Sequence, residues 1–134
     1  MKRLLNIGFS AIILGVILTS CNDDDYEAIQ SVDKVKIDSV SVTNDTMNVF
    51  DIQRIKTYSA YLSQCEGFYG YDYVHGDNLT RTVTAYKFRT NTICSQSTHQ
   101  GVNQINFSPQ QTGTYTFKFW QGANSWITKT IVVK

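Results

Sequence analysis

The sequence predicts an all-β domain, built as a small antiparallel β-sandwich of seven to eight strands. Three observations carry that prediction. No window from Lys34 to Lys134 holds apolar residues at a sustained helical spacing. Short runs rich in Val, Ile, Thr, Tyr and Phe recur over the same stretch. Between them stand turn signals such as His75-Gly76-Asp77-Asn78 and Gln121-Gly122-Ala123-Asn124, where glycine and asparagine tolerate the positive φ of tight connections. Seven or eight strands in about 100 residues, with no helix, close most economically as two sheets packed face to face.

In chain order, strands are expected at Val35 to Val42, Met47 to Phe50, Arg54 to Ser63 and Phe68 to Val74, then at Arg81 to Arg89 and Val102 to Phe107. The last two, Thr114 to Trp120 and Ser125 to Val133, form the clearest hairpin in the chain. Tyr115, Phe117 and Phe119 alternate there with Thr114, Thr116 and Lys118. The two-residue period puts the aromatics on one face, which should be core. A second hairpin joins Phe68–Val74 to Arg81–Arg89, with paired residue numbers adding to about 155 to 157.

Three cysteines are present: Cys21, Cys65 and Cys94. The numbers of the last two add to 159, just beyond the open end of the second hairpin and within the slack of a twisted or bulged ladder. In an exported chain an even remainder argues for pairing, and closing a loop of about 30 residues contributes roughly 3 to 4 kcal/mol in the chain-entropy description.

At Thr112-Gly113-Thr114-Tyr115, leading into Phe117-Lys118-Phe119, the sequence resembles the approach to the penultimate strand of an immunoglobulin-like sandwich, with Tyr115 where a tyrosine corner would sit. No cysteine falls in that strand and neither tryptophan takes the usual core place. The resemblance is therefore to the broad fold and carries no functional residues with it.

The N-terminus reads differently. Lys2 and Arg3 precede an apolar run from Leu4 that peaks at Ala11–Leu18, the charged and apolar parts of a secretory signal. The run is shorter than the roughly 20 apolar residues a spanning helix needs. It ends in Leu18-Thr19-Ser20-Cys21, which resembles the lipobox of bacterial lipoproteins. That resemblance implies cleavage before Cys21 and lipidation of Cys21, with several acyl chains at about 0.8 kcal/mol per buried methylene holding the chain to a membrane. The following Asn22-Asp23-Asp24-Asp25-Tyr26-Glu27 resembles the export signal of surface lipoproteins in the Bacteroidota. It implies an outer-membrane, surface-exposed position, against the alternatives of a periplasm-facing anchor or a plain solvated tether. Asp38-Ser39-Val40 and Asp45-Thr46-Met47 also look like the O-glycosylation motif of that phylum, a pattern short enough to arise by chance. The expected organisation is a signal over residues 1–20, a lipidated acidic tether over 21–33 and the sandwich over 34–134.

From Lys34 onward ten Lys and Arg face six Asp and Glu, a scattered net charge of +4 that forms no nucleic-acid patch. No nucleophile elbow, zinc-protease motif or phosphate-cradling glycine loop occurs. His75, read as part of an exposed turn, and His99, read as part of a polar loop, have no partners that would suggest a metal or a catalytic dyad. The chain is accordingly not read as an enzyme, and no cofactor or metal is expected. The candidate ligand-contact residues are aromatic. In Phe68-Tyr69-Gly70-Tyr71-Asp72-Tyr73, regular alternation puts Tyr69, Tyr71 and Tyr73 on one face, with Phe68 on the other. Such a row either packs the interior, which small β domains fill with aromatics first, or offers a platform for a sugar or a protein. Trp120 and Trp126 flank the last turn and either form a contact patch or pair across the hairpin. A lipid-tethered, non-catalytic binding module for a glycan, protein or envelope component leads these readings. An accessory subunit of a surface complex comes second, and a small enzyme or enzyme inhibitor third.

Overall fold

The structure, a computed structural model, describes residues 28–134. The signal, Cys21 and the acidic stretch to Glu27 lie outside the described residues. Within them the fold is all-β, with two sheets packed on each other.

Nine strands are formed: β1 (Ile29–Val35), β2 (Ser39–Val42), β3 (Thr46–Met47), β4 (Gln53–Tyr61), β5 (Glu66–His75), β6 (Thr80–Thr90), β7 (His99–Phe107), β8 (Gly113–Trp120) and β9 (Trp126–Val133). The smaller sheet has the order β2-β4-β7. In the larger sheet β5 pairs with one edge of β6. The other edge of β6 is shared, with β8 beside Thr80–Val83 and β1 beside Ala85–Thr90. β9 and β3 follow β8.

The expected seven to eight strands are nine, and four further expectations are corrected. The single strand expected at Val35–Val42 is two, because the chain changes sheets between them. The Ile37 N–H bonds to Trp120 O at 3.0 Å in one sheet, and the Asp38 N–H to Tyr58 O at 2.7 Å in the other. Ile37 is fully buried at the crossing. Sheet structure also begins at Ile29, inside the segment the change in charge assigns to the tether, because residues 29–33 pair with β6. Finally, the sandwich is not antiparallel throughout: β6–β8 and β3–β9 are parallel ladders. β3 stops at Met47 rather than reaching Phe50, where a left-handed φ of 66° turns the chain.

The β5–β6 hairpin has the expected register, with paired numbers adding to 155 up to a bulge at Tyr69 and to 156 beyond it. Cys65 and Cys94 are disulfide-bonded across Cα atoms 5.7 Å apart, just past its open end. The core is the face expected of the last hairpin: Tyr115, Phe117 and Phe119 are buried with Ile55, Val83, Ile131 and Val133. Phe117 meets Phe107 edge-on at 4.9 Å and Phe119 in a stack at 6.1 Å. Burying each such ring contributes roughly 1.5–3 kcal/mol.

The domain has two distinct ends. The chain enters β1 beside Thr90, close to the disulfide, where Cys65 O accepts from the Thr90 N–H. The β5–β6 turn and the loop 108–112 between β7 and β8 lie at the other end.

Candidate functional site

β5 and β7 are the edge strands of their sheets and lie on the same side of the sandwich. Between them opens a groove of about 660 Å³. Tyr71, Tyr73 and His75 form one bank, and Gln104, Asn106 and the loop carrying Gln110 and Gln111 form the other. Tyr115 and Arg81 line it as well.

A bulge in β5 makes the first bank aromatic. The ladder pairs Phe68 with Lys87 and Gly70 with Tyr86, leaving Tyr69 as an extra residue. An extra residue resets the two-residue alternation. Phe68, Tyr71 and Tyr73 consequently share the inward face and pack against the core, with the Phe68 and Tyr71 rings 4.7 Å apart. Tyr69 is left outside, 57% exposed. The expected row of three tyrosines with Phe68 opposite is therefore corrected to a pair, Tyr71 and Tyr73, with Phe68 beside them.

These two rings are both core and lining. Tyr71 spans the sandwich to β4, sharing a 2.6 Å hydrogen bond with Thr57 Oγ1. Tyr73 lies 6.5 Å from Phe117 on its inner side and meets His75 edge-on at 5.3 Å. Burial raises the pKa of the Tyr71 hydroxyl, an effect the Thr57 hydrogen bond opposes. Tyr73 is likewise raised by burial, while the charge and hydrogen bonding of Arg81 pull it back.

Arg81 is the cation of the groove. It sits opposite His75 in the hairpin register, with its guanidinium carbon 5.2 Å from the Tyr115 ring centroid. The Tyr115 hydroxyl donates to Gln111 O at 2.8 Å, fixing both the ring and the loop that forms the opposite bank.

Trp120 and Trp126 are cross-strand partners in the β8–β9 ladder, and neither lines this groove. Trp120 Nε1 donates to Ala123 O at 3.0 Å, and Lys34 Nζ lies 5.6 Å from its ring centroid. Trp126 remains 41% exposed. The structure thus separates the candidate aromatics into three places: Tyr71 and Tyr73 in the groove, Tyr69 outside it, and the tryptophans at the last turn. Both histidines are relocated. His75 closes β5 rather than lying in the turn, and His99 opens β7, stacked on Tyr61 at 5.1 Å. Ser39 and Thr46 are exposed, but the Asp38 carboxylate is engaged by the Ala60 N–H at 3.1 Å.

Sequence reasoning missed Arg81, Gln104, Asn106 and Gln111. The available signal was that Arg81 faces His75 across the predicted hairpin. Nothing in the sequence brings the β7 edge beside β5. Among the described residues, no group of three His, Cys, Asp or Glu side chains is placed to hold a metal ion. Comparison with known proteins finds no matching protein family, no matching curated protein and no matching solved structure.

Proposed function

We propose that this chain is an outer-membrane lipoprotein anchored through Cys21 and facing the cell surface, whose sandwich is a non-catalytic module that binds saccharide in the β5–β7 groove. The observation that carries the reading is the lining itself. Tyr73 and His75 supply ring surface on one bank, and Gln110 and Gln111 supply amides on the other, beside the outward-facing Gln104 and Asn106, whose amides bond each other at 2.6 Å. Ring faces suit the apolar side of a sugar. Carboxamides offer paired donors and acceptors, matching hydroxyl groups that both give and take hydrogen bonds. We further read the sandwich as a variant of the immunoglobulin-like fold. That is supported by the Tyr115–Gln111 hydrogen bond, which has the form of a tyrosine corner.

The test is calorimetric titration of the full chain with neutral and acidic oligosaccharides. Saturable binding that Tyr73→Ala weakens at least tenfold supports the reading, and heat-silent titrations across the panel overturn it. One observation favours the second reading, an accessory subunit of a surface complex. Among the described residues β7, nine residues long, pairs only with β4, which leaves its other edge for a partner strand.

A further inference from the structure

Arg81 differs from Lys87 and Arg89, the other cations of β6. Lys87 and Arg89 have Glu66, at 3.0 and 4.0 Å. No carboxylate among the described residues lies within 4.0 Å of Arg81. Its Nη1 donates to the adjacent Thr80 carbonyl oxygen at 3.2 Å, while its Nε is buried without an acceptor. A guanidinium carries five N–H donors and cannot shed its charge, and a donor buried without an acceptor destabilises the fold. The Tyr115 ring lies under the cation and the Tyr73 hydroxyl takes one of its hydrogen bonds, but both groups are neutral and leave the charge uncompensated. Arg81 lines the groove, and a guanidinium matches an anion with two oxygens, which it binds in bidentate fashion.

We infer that the groove takes an acidic saccharide, with the carboxylate of a uronic or sialic acid unit on Arg81 and the sugar ring against Tyr73. This rests on the saccharide reading above and narrows it to an anionic ligand. A peptide C-terminus would bring the same carboxylate, but the amides of Gln110 and Gln111 on the facing bank favour a hydroxyl-rich ligand.

The test titrates the full chain, in detergent micelles, with oligogalacturonate, hyaluronan oligosaccharide and sialyllactose, each beside its methyl ester. Esterification keeps the sugar and removes the charge. The expected result is binding of at least one acid, weakened tenfold or more by its ester, with Arg81→Gln abolishing the difference between the two. Equal affinity for acid and ester in the wild-type chain overturns the carboxylate assignment while leaving the saccharide reading standing. No binding of any acid or ester overturns the inference, and silence of the neutral oligosaccharides as well overturns the saccharide reading with it. Binding of acetyl-Ala-Phe with a free carboxylate, in the absence of saccharide binding, assigns the groove to peptide termini and likewise overturns the inference. Because the ester comparison uses the unmodified chain, it decides the question even if Arg81→Gln fails to fold.

Discussion

Glu66 is the most consequential buried charge among the described residues. Its side chain is 5% exposed and accepts from the Leu62 N–H and from Lys87, both at 3.0 Å. Burial alone would raise its pKa. The hydrogen bonds from Lys87 and Leu62 and the charges of Lys87 and Arg89 outweigh burial and hold the carboxyl below its ordinary 4.5. A depressed carboxyl stabilises the fold fully above the unfolded value, and that contribution is lost as pH falls through the folded one. Glu66→Gln should therefore flatten the loss of stability below about pH 4.5, read from urea midpoints of variant and parent at matched pH. Glu66→Ala should cost about 2 kcal/mol at neutral pH, because it strands the Leu62 N–H and removes a charged partner. Tyr115→Phe deletes one hydrogen bond to a loop carbonyl and should cost about 1 kcal/mol in the same assay. Individual roles of this kind were only partly legible in the sequence. Tyr115 stood out because its aromatic neighbours alternate. Arg81 did not, since an arginine one residue into a strand reads as solvated until a second strand edge is seen beside it.

Elements divide the same way. The β8–β9 and β5–β6 hairpins were legible because local contacts and turn chemistry specify them, and the cysteine pair fitted the second as an independent check. Removing that bond with Cys65→Ser and Cys94→Ser together should cost roughly 3 kcal/mol. Peptide mapping without reductant should find both sulfurs linked in the parent, and two free thiols would contradict the pairing. The break between β1 and β2 was hidden, because changing sheets leaves an apolar run unbroken in sequence. The bulge at Tyr69 was hidden for a related reason: aromatics stand on both sides of it, so a slip in phase leaves no polar residue out of place. In β7, Gly101 shows how tightly one element is fitted to the next. A Cβ there would stand 2.5 Å from the Tyr61 ring, which is buried and stacked on His99. Gly101→Ala should cost about 2 kcal/mol from overpacking, measured by thermal or urea unfolding.

For the whole molecule, the anchor is tested by fractionation: Cys21→Ala should move the protein from the membrane to the soluble fraction, and retention of the variant would remove the anchor from the reading. Protease treatment of intact native cells then distinguishes a surface position, in which the chain is digested, from a periplasm-facing one, in which it is protected. The arrangement of the two ends has a mechanical consequence. β6 is eleven residues long, so about 33 Å at ~3.3 Å per residue separates the end where β1 begins from the end where Arg81 meets the groove. A ligand dragged by flow at one end and a tether fixed at the other would pull β1 lengthwise past β6. The six paired positions of that ladder have hydrogen bonds lying across the strands, so the load falls on them together, in shear, rather than peeling them apart one at a time. A domain loaded in that direction resists tension best along the line from the start of β1 to the groove.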